Sequence, residues 1–176
     1  MARIPYRKVP GKIVAGVALV ALLGAGAASL TLETVADFEG YVPAAYQDPV
    51  GIWTKCWGDT YDVTPGATYT FDECVRSLNK QVLKHAAPVM ECVPELRERD
   101  DLVIASFVSM AYNIGTNGFC KSSVARKANA GDWRGACERI GSGIYTTAGG
   151  KKIEGLVDRR HIESDMCLRG LKKEGL

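Results

Sequence analysis

The feature that most constrains this chain is an uncharged stretch near its N-terminus. Residues 13–32 carry no charged side chain, and Arg3, Arg7, Lys8 and Lys12 come before them. A helix of this length spans about 30 Å, the thickness of the hydrocarbon core of a bilayer. A basic flank favours the cytoplasmic side. The pattern therefore predicts a segment in the inner membrane, with the N-terminus inside and the rest of the chain outside.

The same stretch predicts only weak anchoring, because most of its side chains are Ala or Gly. Its strongly apolar residues contribute only about 3 to 5 kcal/mol to insertion. Ala25-Gly26-Ala27 also fits the small-x-small site of a cleaved signal peptide. Three fates stay open: a permanent anchor, a cleaved signal peptide, and a segment that inserts and later leaves the bilayer. A buried soluble helix is disfavoured, since a basic flank before an uncharged stretch is typical of an export signal.

The cysteines agree with export. There are six, an even number, and all follow the uncharged stretch: Cys56, Cys74, Cys92, Cys120, Cys137 and Cys167. The chain has no CxxC pair, and its two histidines, His85 and His161, are far apart in sequence, so we expect no zinc site. Disulfides formed in an oxidising periplasm are the better interpretation. Spacing alone does not choose among the possible pairings.

Helical patterns dominate the chain outside one short region. Thr31–Glu39 is predicted to be an amphipathic helix that ends at Gly40. Residues 41–70 alternate Gly, Pro, Asp and Thr with aromatic residues, as short strands joined by turns do. Thr70 and Glu73 match a capping box at the start of the next helix. Asp100–Ile114 is too apolar for a surface helix and should be the buried central one.

Shorter helical patterns follow over residues 122–130 and 132–140. A Gly-rich loop at 141–150 leads to a last helix near 155–168. The expected fold class is α+β and mainly α. A small antiparallel sheet lobe near the N-terminus precedes a helical lobe, with a cleft between them that suits a ligand.

Two acids and one hydroxyl form a candidate site. Glycoside hydrolysis usually needs one protonated carboxyl as acid and one ionised carboxylate. Glu39 follows Phe38 at the end of a helix, and burial in apolar company would raise its pKa and keep its proton on. Asp48 lies in a turn-rich stretch where it can stay charged. Thr54 follows on a predicted strand, with a hydroxyl that can hold a water.

The spacing of these residues resembles the T-even phage lysozyme family. Eight residues separate Glu39 from Asp48, and five separate Asp48 from Thr54. The surrounding residues resemble that family over about residues 31–170. The similar segments are Phe38-Glu39-Gly40, Ala45-Tyr46-Gln47-Asp48, Gly51-Ile52-Trp53-Thr54, Gly58-Asp59-Thr60, Ala111-Tyr112-Asn113-Ile114-Gly115, Asn129-Ala130-Gly131-Asp132 and Gly150 through Arg160.

This resemblance implies a lysozyme-like fold and cleavage of the β-1,4 bond between N-acetylmuramic acid and N-acetylglucosamine in peptidoglycan. Glu39 would be the general acid, while Asp48 and Thr54 would place the attacking water, giving inversion and a carboxyl separation of about 6.5 to 9.5 Å. No cofactor is expected, and the partner is the glycan strand. A net charge of +2 without a basic run among aromatics does not suggest nucleic acid. The released enzyme is expected to be a monomer.

The uncharged stretch makes the chain similar to the signal-arrest-release endolysins, which wait inactive in the inner membrane and then enter the periplasm. The resemblance divides the chain into residues 1–30, the signal-arrest-release segment, and residues 31–176, the catalytic domain. While residues 13–32 are in lipid, Glu39 would be held at the bilayer surface. The absence of cysteine from the segment resembles the variety without thiol exchange, in which the released segment joins the fold as a helix.

One departure from the family concerns Cys56. The family often has Thr-x-Gly-x-Gly where this chain has Thr54-Lys55-Cys56-Trp57-Gly58. A cysteine does not adopt a glycine-only conformation cheaply, and a disulfide there could hold the strand instead. Cysteine-containing relatives imply the pairs Cys56–Cys74, Cys92–Cys120 and Cys137–Cys167.

Other interpretations remain open. A lytic transglycosylase would share the substrate and Glu39 but need no positioned water, and a membrane-tethered wall-binding protein with a degenerate site would need no chemistry. Trp53 and Trp57 are expected to be packing residues rather than sugar platforms. Arg159 and Arg160 either support the acids or lie on a solvated helix face. His85 and His161 are expected at the surface.

Overall fold

The computed structural model describes residues 8–48 and 50–176, so Arg3 and Arg7 of the basic flank lie outside the described residues. These residues form eight α-helices, two small antiparallel sheets and a 3-10 helix at Pro94–Glu98. The helices are α1 (Val17–Leu23), α2 (Ala25–Glu39), α3 (Phe71–Cys92), α4 (Asp101–Ile114), α5 (Thr116–Cys120), α6 (Ser123–Asn129), α7 (Trp133–Ile140) and α8 (Glu154–Glu174). The strands are β1 (Val42–Gln47), β2 (Trp53–Cys56), β3 (Thr147–Ala148) and β4 (Lys151–Lys152). The expected α+β, mainly α architecture is confirmed.

Helix α4 is the buried central helix that its sequence predicts. Every side chain from Val103 to Ala111 is buried, and α2, α3 and α8 pack around it. The predicted capping box also forms, because Glu73 N donates to the Thr70 hydroxyl at 3.3 Å while the Glu73 carboxylate accepts from Thr70 N at 2.7 Å. Local sequence signals thus set the start of α3 and the burial of α4.

The uncharged stretch folds back into the protein instead of forming one straight helix. Helices α1 and α2 meet at Gly24 with a bend of 112°. Among the described residues no single helix is both long and apolar enough to cross a bilayer, although α1 and α2 together meet those criteria. Leu19 and Leu32 are fully buried in the core. The helix predicted over Thr31–Glu39 is therefore the second part of the longer α2.

The residues before α1 are fastened to α3 through one side chain. Gly16 N donates to Asn79 Oδ1 at 2.7 Å, and Asn79 Nδ2 donates to the Val14 carbonyl at 3.0 Å. Nearby, Gly11 lies so close to the Phe71 ring that an added Cβ would stand 3.0 Å from it. These contacts need a folded α3, so the N-terminal stretch and the rest of the chain form one core.

The bend depends on the backbone of Gly24. Its φ of 84° and ψ of 158° lie in a region that is almost confined to glycine, and other residues there cost about 1 to 3 kcal/mol. The space around it is open, so the cost is backbone strain and not a clash. We expect Gly24→Ala to lower the free energy of unfolding by about that amount, measured by urea titration with circular dichroism.

Gly155→Ala is the matched control for this substitution. Gly155 also faces open space, but it lies in the first turn of α8 with helical backbone. Alanine is preferred to glycine there by up to about 1 kcal/mol, so this variant should lose no stability. Equal losses in both variants would contradict the strained hinge.

Three disulfides join Cys56 to Cys74, Cys92 to Cys120 and Cys137 to Cys167, the pairs that the resemblance implies. The first ties β2 to α3. Cys56 has a φ of +57°, in the left-handed region, which costs a non-glycine residue about 1 to 2 kcal/mol. The Cys56–Cys74 bridge, buried on both sides, fixes the cysteine where the family often has glycine.

Candidate active site

Glu39 lies at the boundary between the helical lobe and the sheet. It is the last residue of α2, and Gly40, with a φ of 75°, turns the chain toward β1. Oε1 of Glu39 accepts a 2.7 Å hydrogen bond from Arg159 Nη1 on α8. Oε2 lies 3.8 Å from the position that a Cβ on Gly58 would occupy. With 26% of its side chain exposed, the carboxyl group is held between two lobes and still reaches solvent.

Asp48 and Thr54 share one face of the hairpin formed by β1 and β2. The register pairs Tyr46 with Thr54, and Asp48 N donates to the Ile52 carbonyl at 2.9 Å. Because side chains alternate along a strand, these four residues lie on the same face. Asp48 and Thr54 are diagonal neighbours, a relation that places side chains about 7 to 8 Å apart at their base. One small molecule can therefore contact both.

Local hydrogen bonds orient both groups. Asp48 Oδ1 accepts from Val50 N at 3.0 Å and from Ile52 N at 2.8 Å, which fixes the carboxylate at the end of β1. The nearly buried Thr54 hydroxyl donates to the Ile52 carbonyl at 3.1 Å. Since its hydrogen is already used, the Thr54 oxygen can only accept from a further partner. The hairpin thus carries two hydrogen-bond acceptors, the Asp48 carboxylate and the Thr54 hydroxyl oxygen.

Within residues 8–48 and 50–176, no hydrogen bond or ion pair joins Glu39 to Asp48 or Thr54. The two carboxyl groups come from different elements and have separate partners. Such a pair can work on opposite sides of a bound sugar. In the same described part of the chain, no cluster of three or more His, Cys, Asp or Glu side chains could hold a metal ion.

Arg159 is the residue that positions Glu39. Its guanidinium donates to Glu39, to Glu163 Oε1 at 3.1 Å through Nε, and to the Ser109 carbonyl at 3.1 Å through Nη2. The Phe38 ring covers it, with the ring centroid 4.5 Å from the guanidinium carbon. Arg159 thereby links α2, α4 and α8. The apolar surroundings predicted for Glu39 are only partly present, since Phe38 contacts this cation.

A second buried cation shares the same counter-ion. Glu163 is fully buried, and its Oε2 lies 2.7 Å from Arg160 Nε. Burial lowers the pKa of Arg160, and the charge of Glu163 opposes that shift. The solvated helix face considered for Arg159 and Arg160 is wrong, because both are buried. Sequence reasoning missed Glu163. It lies four residues after Arg159 and three after Arg160, which is the spacing of ion pairs on one face of a helix.

Tyr112 adds a neutral polar group beside this site. Its hydroxyl donates to Gln81 Oε1 at 3.1 Å, and the His85 ring contacts the Tyr112 ring in a tilted arrangement, with centroids 4.8 Å apart. Burial and the negative charge of Glu39 raise the pKa of Tyr112 far above its usual value, so the phenol stays protonated. The surface position predicted for His85 is wrong, since His85 is half-buried, whereas that of His161 is confirmed.

The two tryptophans differ. Trp57 is fully buried and packs 4.9 Å from the Tyr41 ring, so the packing interpretation is confirmed for it. Trp53 is exposed on 36% of its surface at the end of the hairpin that carries Asp48 and Thr54. The packing interpretation stays a prediction for Trp53, because the rest of its surface is covered.

A family model described as phage lysozyme matches residues 36–163, a range that contains Glu39, Asp48, Thr54 and Arg159. The chain belongs to the phage lysozyme family. It is therefore a glycoside hydrolase with lysozyme activity, a muramidase of the endolysin class. This range begins inside α2, so the stretch that forms α1 precedes the matched part.

Two relatives of this phage lysozyme carry the description SAR-endolysin. That of bacteriophage PS119 is 40% identical over 134 residues, which cover 75% of this chain and 77% of the relative. That of enterobacteria phage P21 is 35% identical over 162 residues, covering 87% and 94%. Among solved structures, the active form of the P1 phage endolysin Lyz aligns with a TM-score of 0.73 at 25% identity, covering 92% of this chain and 98% of that one.

Proposed function

We propose that this lysozyme, of the T-even type, cleaves the bond between N-acetylmuramic acid and N-acetylglucosamine with inversion. Glu39 is the general acid that protonates the leaving oxygen, and Asp48 and Thr54 hold the attacking water on the opposite face of the sugar. The observation that carries the proposal is the pair of hydrogen-bond acceptors on the hairpin, Asp48 and Thr54, set apart from the carboxyl group that Arg159 holds.

The Asp48 carboxylate and the Thr54 oxygen can together hold the attacking water. A water that donates one hydrogen to the Asp48 carboxylate and the other to the Thr54 oxygen keeps a lone pair for the anomeric carbon. As the new C–O bond forms, Asp48 takes one proton of the water. The bond from the anomeric carbon to the leaving oxygen breaks, and that oxygen takes the proton of Glu39. Protons balance, and the group attached to the anomeric carbon ends on the opposite face.

The test is the configuration of the first product. Proton NMR of soluble glycan chains, recorded before mutarotation, should show the α anomer at the new reducing end. A β anomer would refute the water-positioning roles of Asp48 and Thr54. A 1,6-anhydro product would show a lytic transglycosylase instead, because that reaction uses no water.

The uncharged N-terminal stretch supports a state in which the chain is tethered to the membrane before the enzyme folds into its released form. In the proposed cycle, residues 1–30 insert with the N-terminus in the cytoplasm and the rest of the chain in the periplasm. Glu39, only seven residues after Leu32, then stays about 10 Å of helix from the lipid and cannot take its place beside the hairpin. After release, the stretch forms α1 and the first part of α2. No thiol exchange is needed, because the stretch has no cysteine.

Core packing supports release without cleavage. Cutting after Ala27 would remove α1 and the first turn of α2, including the buried Leu19 and Leu23. It would also remove the Gly16 contact to Asn79. Losing two buried leucines from a well-packed core costs about 2 to 5 kcal/mol each, so a truncated enzyme would have little stability left.

N-terminal sequencing of enzyme recovered from the periplasm, after the membrane potential is dissipated, tests this part of the proposal. We expect an intact N-terminus on soluble, active protein. A start near Ala28 would show an ordinary secreted lysozyme and would refute the tethered state, while leaving the chemistry of the site unaffected.

A further inference from the structure

The chain that leaves Thr54 makes a tight turn and passes directly beside Glu39. Lys55 and Asp59 close this turn, since Lys55 N donates to the Asp59 carbonyl at 2.8 Å and Asp59 N donates to the Lys55 carbonyl at 2.9 Å. Within it, a Cβ added to Gly58 would stand 3.8 Å from Glu39 Oε2. The residue proposed to hold the water and the contact with the proposed acid are thus joined by one short piece of backbone. We call residues 55–59 the 55–59 turn.

One carboxylate collects the polar contacts of the 55–59 turn. Asp59 Oδ2 lies 3.1 Å from Lys55 Nζ and also accepts from the Ser77 hydroxyl on α3. Asp59 Oδ1 accepts from Tyr61 N at 3.0 Å. Both charged side chains of the turn are buried. Burial disfavours the ionised carboxyl, but these hydrogen bonds and the charge of Lys55 outweigh it and hold the pKa of Asp59 below its usual value. Asp59 therefore carries its charge at neutral pH.

The buried lysine of the turn depends on that charge. Lys55 Nζ donates to the carbonyls of Tyr61 and Asp62, the second at 3.1 Å. In the described part of the chain, its only ion pair is with Asp59. A buried ion pair that loses one partner destabilises the fold, because the remaining charge is uncompensated. Since side chains alternate along β2, Lys55 lies on the face opposite Thr54. A movement of Lys55 toward water would therefore shift the backbone that carries the Thr54 hydroxyl.

Two anchors on α3 hold the 55–59 turn, one near each end. The Cys56–Cys74 disulfide fixes its start, and the hydrogen bond from Ser77 to Asp59 fixes its end. Cys74 and Ser77 are three residues apart, so they lie next to each other on one side of α3. The first anchor is covalent and independent of charge. The position of Gly58 beside the proposed acid depends on the second anchor, because Gly58 directly precedes Asp59.

We infer that Asp59 is a positioning residue for the reaction, because its carboxylate fixes the turn that sets the separation between Thr54 and Glu39. This inference rests on the proposed function, since it concerns the placement of the proposed water holder and the proposed acid. Asp59 acts through the backbone of the turn, because the partners of its carboxylate lie in the same loop and on α3. Displacing reacting groups by about 1 Å can lower a rate about 100-fold, so even a modest loosening of the turn should lower kcat.

The test is a double-mutant cycle, with kcat and KM measured on soluble glycan chains for Asp59→Asn, Thr54→Ala and the double variant. Asparagine keeps the size of the side chain but removes the charge that holds Lys55. Alone, Asp59→Asn should lower kcat about tenfold and leave KM nearly unchanged, because misplaced reacting groups raise the transition state without weakening substrate binding. In the Thr54→Ala background, where the water has already lost one partner, Asp59→Asn should lower kcat no more than about twofold.

Ser77→Ala enters the same cycle, since the loss of a buried charge is expected to make Asp59→Asn less stable. It removes only the hydrogen bond from α3 to Asp59 and should lower kcat about threefold, whereas Ser77→Thr keeps the hydroxyl and should match the wild type. The matched control is Asp132→Asn. The Asp132 carboxylate pairs with Lys127 at 2.7 Å and accepts a backbone N–H outside the turn, so both kinetic constants should stay unchanged. Urea titration checks that each variant is folded.

Several results would overturn the inference. Equal kcat losses in both backgrounds would show that Asp59 does not act through Thr54. A raised KM at unchanged kcat would make Asp59 a residue of substrate binding. Full kcat in folded Asp59→Asn and in folded Ser77→Ala would leave the carboxylate with no part in the reaction. Thr54→Ala with wild-type kcat would refute the proposed function instead, because the water would then need no hydroxyl to hold it.

Discussion

Replacing Glu39 with glutamine is expected to lower cell-wall clearing about 1,000-fold, the largest effect on activity of any single change to this lysozyme. Glutamine keeps the shape of the side chain, and its oxygen can still accept the hydrogen bond from Arg159. It has no acidic proton to give to the leaving oxygen. The measurement is loss of turbidity of permeabilised Gram-negative cells, with the urea midpoint recorded for the same samples.

Glu33→Gln is the matched control for Glu39→Gln. Glu33 lies on the same helix, α2, but is exposed and has no partner in the candidate site. The control should clear cells at the wild-type rate. Equal clearing by wild type and Glu39→Gln would remove Glu39 from the mechanism. A variant that is both inactive and unfolded would instead make Glu39 a structural residue.

Glu163→Gln is expected to produce the largest loss of stability, about 3 to 5 kcal/mol. Glu163 is fully buried and accepts hydrogen bonds from Ser109, Arg159 and Arg160. The neutral amide leaves Arg160 buried with no counter-ion and weakens the hold on Arg159. Because Arg159 positions Glu39, activity should fall as well. Urea titration at constant pH, with the disulfides intact, measures the loss.

Glu154→Gln provides the comparison on the same helix. Glu154 is exposed in the first turn of α8, 3.6 Å from the equally exposed Lys152. Its replacement should change stability by no more than about 0.5 kcal/mol, as is usual for surface substitutions. If Glu163→Gln costs as little as this control, the buried network has no structural role.

Much of the helical lobe was predictable because its signals are local. The apolar run of α4 and the Thr70–Glu73 capping box each depend on residues within a few turns, and the structure confirms both. The hairpin that carries Asp48 and Thr54 also followed from composition. The catalytic roles of Glu39, Asp48 and Thr54 stay predictions, because their spacing identifies candidates and does not measure a reaction.

The parts that sequence reasoning missed depend on contacts between distant residues. Arg159 and Arg160 have the composition of a solvated face, which is the usual place for charged side chains. Arg159 is buried against Glu39 and Ser109, which lie on other helices, and Arg160 is buried beside Glu163. The bend at Gly24 was also missed, since the same uncharged stretch can cross a bilayer as a straight helix or pack into a protein core as a bent one. His85 was assigned to the surface because its partner Tyr112 is remote in sequence.

The small side chains of the N-terminal stretch have to suit both a lipid bilayer and the core of the folded protein. Ala27 and Ala28 are completely buried where α2 packs against its neighbours. A leucine at either position would favour membrane insertion, yet it would overfill a core that has no space for three more carbon atoms. In the proposed cycle, the alanines that pack the folded enzyme are therefore the same ones that keep the anchor weak. At these two positions the lifetime of the tethered precursor and the packing of the active enzyme cannot be adjusted independently, so a leucine there that delays lysis by strengthening the anchor should also impair the enzyme that is finally released.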